Sequence, residues 1–327
     1  MVVLVNREVP VTEHPFKSLP TRIAVAAVGI PLILWLTYEG GYHFFSLVTL
    51  ISTLSLYEFY VLQERRGSYP LKTLGLVAGV LVVGAFVYPR FHLQLFRFLD
   101  ERGVRLAMFS PLQFLLVVLV LFLLVILLVE LFRSKGSPSH NLGATILGVM
   151  IIPLFFGCLI GLREVFLYGF PVHKFLDAFP IGVEQRIVMD RWGAFTVISL
   201  FATIWICDTA AYFVGSKFGK HKLFERVSPK KSWEGAIAGF IVAVAAMVVA
   251  QQLFLQYLAV VHAVVIGMII GSFGQVGDLV QSRFKRDVGV KDSSAILPGH
   301  GGVYDRFDSV VFVSPIVYLY VDFIVLS

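Results

Sequence analysis

The chain has 327 residues, 57% of them hydrophobic and only 15% charged, with a mean hydropathy of +0.84. A soluble domain is roughly 45–50% apolar, so the composition excludes an ordinary soluble fold and indicates an all-α polytopic membrane protein. The net charge of +6 is explained first by membrane topology and anionic lipid, since no nucleic-acid motif accompanies it.

Residues 1–21, with Pro10, Pro15 and Pro20, read as a cytoplasmic tail. No small-residue cleavage site follows the first apolar run, which argues against a secretory signal. Nine apolar stretches then have the roughly 17–25 residues that an α-helix needs to cross a bilayer. They are expected near 22–38, 42–62, 72–88, 112–132, 141–162, 193–214, 233–255, 258–279 and 309–326. The stretches between 89 and 111 and between 163 and 192 read as irregular or amphipathic outer pieces without assignable chemistry. Placing the N-terminus in the cytoplasm puts 19 of the 27 lysines and arginines on the inner side, the distribution that basic residues follow. Cys158 and Cys207 both lie in apolar runs and fit neither a disulfide framework nor a thiolate metal site.

Two loops in the second half hold the chemical residues, which divides the chain into N-terminal helices 22–192 and a catalytic region 193–327. The first opens inside the sixth span at Asp208. An aspartate there costs about 2.5–3.5 kcal/mol to insert, so it should face a cavity or a partner. The run Ser228-Pro229-Lys230-Lys231-Ser232-Trp233-Glu234 reads as a helix start with Pro229 and Ser232 in its first turn. With Lys230 and Lys231 beside free backbone N–H groups it is either a phosphate seat or the capped end of a basic inner loop.

The second loop, 277–308, is denser. Asp278, Ser282 and Lys285 or Arg286 are spaced to share one helical face. Asp305 and Asp308 stand three apart where the last span opens. Asp278 and Asp305, if brought together, would offer oxygen ligands to Mg²⁺ while leaving it coordination sites for phosphates. Gly299-His300-Gly301-Gly302 allows a tight turn close to such a group.

The 27-residue stretch formed by Ser282, Phe284, Lys285-Arg286, Lys291-Asp292, Ser294, Leu297-Pro298, His300-Gly301-Gly302 and Asp305-Arg306-Phe307-Asp308 resembles the signature of the phosphatidate cytidylyltransferases, or CDP-diglyceride synthetases. The Asp208-Thr209-Ala210-Ala211-Tyr212 and Ser228–Gly235 segments are similar to that family's as well, so the resemblance covers about residues 193–327. It implies a transferase of phospholipid biosynthesis that moves CMP from CTP to phosphatidic acid, giving CDP-diacylglycerol and pyrophosphate. It further implies a Mg²⁺ centre with K⁺ as a second cation, a homodimer, and a bacterial-type inner membrane with the site facing the cytosol. Asp278 and Asp305 would be metal ligands and Asp308 a ligand or its support. Lys285, Arg286, Lys291 and Arg306 would hold triphosphate or phosphatidate. Asp208, Lys230, Lys231, Ser282, His300, Gly301 and Gly302 would complete the substrate site. A CTP-dependent polyprenol kinase would use similar groups to move the γ-phosphate instead. A transporter would be expected to show repeated halves with broken helices at mid-membrane, which this sequence lacks.

Overall fold

In the computed structural model, which describes residues 19–103, 110–166, 183–297 and 299–327, several helices begin where the sequence supplies a cap or a proline. The chain runs α1 (Leu19–Glu39), α2 (Gly41–Arg65), α3 (Lys72–Asp100), α4 (Pro111–Leu131), α5 (Pro138–Ile151), α6 (Pro153–Glu164) and α7 (Val183–Phe218). A hairpin of β1 (Lys222–Phe224) and β2 (Ser228–Ser232) follows, then α8 (Trp233–Phe254), α9 (Val260–Asp287) and α10 (Asp308–Tyr320). Ser110 caps α4 in a reciprocal box with Gln113, and Pro111 occupies the first helical position, where its missing N–H costs nothing. Pro153 divides the expected 141–162 span into α5 and α6, because it cannot donate the hydrogen bond that would carry one helix into the next.

Among the described residues, eight helical stretches are long and apolar enough to cross a membrane, with α5 and α6 counted as one and α10 extended by a π turn to Val325. This is an integral membrane protein. The first of the nine expected spans is represented by the shorter apolar stretch Ile23–Glu39. Two boundaries move: α3 continues as helix to Asp100, and α7 starts at Val183, so residue 192 falls inside a helix. The expected tail up to residue 18, and the segments 104–109 and 167–182 of the outer pieces, lie outside the described residues.

Helices α7, α8, α9 and α10 pack in succession, and α10 closes onto α6, which packs on α3. Small residues set these distances. A Cβ on Gly235 of α8 would stand 2.6 Å from the Ala211 carbonyl of α7, and one on Gly267 of α9 would stand 2.6 Å from the Cα of Val244 on α8. One on Gly277 would meet the Asp308 carbonyl of α10 at 2.8 Å. Backbones approach this closely in membranes because dispersion and interhelical hydrogen bonds, rather than water exclusion, hold the helices together. Gly267→Val should therefore force α8 and α9 apart and cost about 1–3 kcal/mol. A thermal unfolding scan in detergent that matched the parent would contradict this tight contact.

Polar clasps tie each end of the bundle. At one end Arg66, just past α2, pairs with Asp287 of α9 at 2.7 Å, and Arg133 donates to the Tyr69 carbonyl at 2.6 Å. At the other end the fully buried Arg163 donates to the carbonyls of Thr37 and Tyr38 and to Asp190, while Glu164 accepts from Arg90 and from the Gly41 backbone. A cavity of about 500 Å³ opens there, lined by Tyr38, Arg90, Arg186 and Asp190 among others.

Candidate active site

On α9, Asp278, Ser282 and Lys285 do share a face. Ser282 Oγ donates to Asp278 Oδ1 at 3.1 Å, and Lys285 is buried one turn further on. Helical spacing left Lys285 and Arg286 as alternatives, and the fold separates them. Arg286 turns away, donating to the Val227 carbonyl at 3.4 Å and the Val290 carbonyl at 2.9 Å, so that it braces the hairpin and the helix end.

The Ser228–Ser232 run is not a helix start but the second strand of the hairpin, paired antiparallel with Lys222–Phe224. Pro229 lies in the strand, and the helix begins only after Ser232, whose side chain accepts from Gly235 N at 3.3 Å. Glu234, in that first turn, accepts from the His221 backbone and meets its ring nitrogen at 2.6 Å, which locks the hairpin to α8. Because strand side chains alternate, Lys230 and Lys231 point to opposite sides. Lys231 bonds Asp278 Oδ2 at 2.6 Å, whereas Lys230 is exposed.

Three carboxylates from three helices are electrostatic neighbours here: Asp208 of α7, Asp278 of α9 and Asp308 at the start of α10. Lys231 pairs with Asp278 and its charge acts on Asp208, and the charge of Lys285 acts on Asp278 and Asp308. The glycine contacts described above bring this about, since Gly235 and Gly277 let α8 and α10 close against the helices that carry Asp208 and Asp278. Among the described residues no three His, Cys, Asp or Glu side chains converge tightly enough to ligate one ion by themselves. The donors are all oxygen, which suits a hard cation. One or two such carboxylates are what Mg²⁺ takes when substrate phosphates supply further ligands.

Asp305, expected to share a cation with Asp278, is placed differently. Its Oδ1 accepts from Lys285 at 2.8 Å, and its Oδ2 accepts from Ser293 N at 2.8 Å, Ser293 Oγ at 2.9 Å and Gly302 N at 2.9 Å. Burial would raise this carboxyl, but the Lys285 ammonium and the two backbone N–H groups outweigh it and hold the group below the usual carboxylate range. Both oxygens are thus taken up in organising the loop. Asp208 and Asp308 are the carboxylates whose charges act on Asp278, while Asp305 is tied to the same face through Lys285.

The Gly-His-Gly-Gly turn forms as expected. Leu297 N donates to the Gly301 carbonyl and His300 N to the Leu297 carbonyl, each at 2.9 Å. Gly301 sits at φ +85°, where a side chain would be strained. A Cβ on Gly302 would collide with Ser293 Oγ and Glu58 Oε2. His300 Nδ1 is buried with no hydrogen-bond partner among the described residues. Lys291 and Arg306, at the two shoulders of the loop, are exposed, and Pro298 lies outside the described residues.

Ser293 and Glu58 are both absent from the expected set. Glu58 of α2, 1% exposed, accepts from Ser294 Oγ (2.6 Å) and Val303 N (3.0 Å) on one oxygen and from Ser293 Oγ and Tyr304 N (both 2.8 Å) on the other. The insertion-cost argument that singled out Asp208 applies equally to a glutamate inside Leu56-Tyr57-Glu58-Phe59-Tyr60. Its partners, more than 230 residues away, carry no local mark.

The phosphatidate cytidylyltransferase of Staphylococcus saprophyticus is 45% identical over 125 residues, 38% of this chain and 48% of the relative. That of Bacillus subtilis is 41% identical over 130 residues, 40% of this chain and 48% of the relative. That of Staphylococcus aureus strain COL is 44% identical over 125 residues, with the same coverage as the first. The alignments thus span about half the length of the curated relatives. The sequence profile of the cytidylyltransferase family, by contrast, matches residues 20–324, the helix that carries Glu58 included. From the first described helix to the last, this chain belongs to the cytidylyltransferase family.

Proposed function

We propose that the chain is a phosphatidate cytidylyltransferase of a bacterial-type cytoplasmic membrane, using CTP and phosphatidic acid and releasing CDP-diacylglycerol and pyrophosphate. The observation that carries this reading is the Asp278–Ser282–Lys285 face of α9, met by Lys231 and neighboured by Asp208 and Asp308 at one end of a membrane bundle. A phosphatidate oxygen forms a bond to the α-phosphorus of CTP, the bond from that phosphorus to the bridging oxygen breaks, and pyrophosphate leaves. The attacking oxygen is already ionised near pH 7, so no side chain has to remove a proton. What the protein must supply is alignment of two anions against their repulsion.

In this reading Lys231, Lys285, Lys291 and Arg306 neutralise and orient the triphosphate and the lipid phosphate. Lys230 extends the same positive surface, and Arg286 holds the hairpin in place behind it. Asp278, with Asp308 or Asp208 beside it, would hold Mg²⁺ together with the substrate phosphates, and K⁺ would be the second cation. When bound, the metal adds charge neutralisation at the reacting phosphorus. Asp305 acts through the loop, since its oxygens already accept from Lys285, Ser293 and Gly302. Asp208 and nearby Tyr212 are open at the surface of the bundle, which suits a substrate arriving from the bilayer.

The deciding experiment gives detergent-purified protein phosphatidate, Mg²⁺ and CTP labelled at either the α- or the γ-phosphate. Label from the α position alone in the lipid product, with pyrophosphate released, is the expected result. Label from the γ position in lipid would make the protein a CTP-dependent kinase. A homodimer belongs to the same reading and should appear by light scattering of the purified protein. The orientation follows from the 19 to 8 division of basic residues: a reporter in the 219–232 hairpin should read as cytosolic and one after Ser327 as external. A hairpin found outside would separate the site from CTP and end the proposal.

A further inference from the structure

We infer that Glu58, in the first half of the chain, is a positioning residue that fixes the 291–306 loop for transfer; the inference rests on the cytidylyltransferase reading. Glu58 lies seven residues before the end of α2, roughly 10 Å into the helix from Arg65 at 1.5 Å per residue. The loop reaches in to meet it. Each carboxylate oxygen accepts one hydroxyl and one backbone N–H, Ser294 Oγ and Val303 N on Oε1, Ser293 Oγ and Tyr304 N on Oε2. The serines lie just after Lys291, and Val303 and Tyr304 just before Asp305 and Arg306. One buried carboxylate therefore pins both arms of the loop and sets the separation of the two exposed cations, Lys291 and Arg306. Ser293 Oγ, which has a single proton, also touches Asp305 Oδ2 at 2.9 Å. Glu58, Ser293, Asp305 and Lys285 thus form one connected chain from α2 to the Lys285 face of α9.

Ring packing supports the same connection. Phe59, beside Glu58, stacks edge-on against Phe284 of α9 at 5.7 Å and against Tyr304 at 6.3 Å. The double acceptor is what the position needs. A glutamine of the same shape would turn its NH₂ toward the N–H of either Val303 or Tyr304, donor against donor, in a place from which water is excluded.

The test compares the full-length protein with Glu58→Gln and Glu58→Asp by two independent readouts. Tryptic cleavage after Lys291 and Arg306, measured against cleavage after Lys222 in the hairpin, reports whether the loop is held. Steady-state kinetics reports what holding it does. For Glu58→Gln, cleavage in the loop should rise about tenfold with none at the hairpin, and kcat should fall at least about tenfold. The unfolding temperature should stay within about 3 °C. Glu58→Asp, which keeps two acceptors on a shorter stem, should recover part of both effects. If Glu58→Gln does not fold, Ser294→Ala removes one donor and should give the same pattern at about a fivefold level, the worth of one hydrogen bond. Unchanged cleavage, or an opened loop with the parent kcat, would overturn the inference. Parent protein without cytidylyl transfer would count against the functional reading instead, and the cleavage readout would still decide whether Glu58 holds the loop.

Discussion

Asp278→Asn should give a protein that inserts, elutes as a single species and unfolds near the parent temperature, yet has lost about a hundredfold or more of its transfer rate. The structural cost is small because the Lys231–Asp278 pair is partly open, at 27% and 34% side-chain exposure. Exposed pairs of that kind contribute about 0–1 kcal/mol. Asparagine also keeps an oxygen for Ser282 Oγ. The catalytic cost is large because Asp278 is the carboxylate on which Lys231, Ser282 and the neighbouring Asp208 and Asp308 converge. If Asp278 holds the metal as proposed, losing its charge removes several kcal/mol of transition-state stabilisation, and about 3 kcal/mol is a hundredfold in rate. The rate should be measured across a Mg²⁺ titration, where the variant should need more metal to reach its own plateau. A well-folded Asp278→Asn protein with the parent rate and Mg²⁺ dependence would remove this carboxylate from the mechanism.

How far this site could be read from sequence depends on the distance over which each feature is set. The Asp278–Ser282–Lys285 face follows from helical spacing alone and needed no tertiary information. The Gly299–Gly302 turn was likewise local. The hairpin was not: Ser228-Pro229 and Ser232-Trp233-Glu234-Gly235 both carry helix-start chemistry, and only the pairing of Ser228–Ser232 with Lys222–Phe224 decides that the second is the true cap. That strand in turn decides that Lys231, not Lys230, meets Asp278. The different surroundings of Asp305 and Asp308 are hidden in the sequence for a similar reason. Both stand at the opening of α10 and look alike as ligands, but Asp305 is enclosed by Ser293 and Gly302, partners supplied by a loop whose path is set from Glu58. The 291–306 loop is therefore tied to a helix of the first half of the chain, which no local pattern in the loop reveals.

Asp305→Asn should behave oppositely to Asp278→Asn, with stability as its main loss. The Lys285–Asp305 pair is buried, at 9% and 3% side-chain exposure, and the carboxylate also accepts from Ser293 N and Gly302 N, with Ser293 Oγ, whose one proton it shares with Glu58, at 2.9 Å. An asparagine must aim its NH₂ either at the Lys285 ammonium or at the Ser293 and Gly302 N–H groups. Removing one partner of a buried pair leaves an uncompensated charge and costs about 3–5 kcal/mol, which should appear as a fall of many degrees in unfolding temperature and in the yield of folded protein. Lys285→Met should be the milder change, because it removes the buried cation while Asp305 keeps its two backbone donors, Ser293 N and Gly302 N. The pH dependence has a definite sign. Asp305 is held below its usual range, so its stabilisation is fully present above the unfolded value of about 3.9 and is lost as the pH falls through the lower folded value. The gap in unfolding temperature between the parent and Asp305→Asn should therefore be constant from neutral pH down to about 4 and close only below it. A gap that closed between pH 5 and 7, or an Asp305→Asn protein as stable as the parent but inactive, would return Asp305 to the role of a substrate- or metal-facing carboxylate.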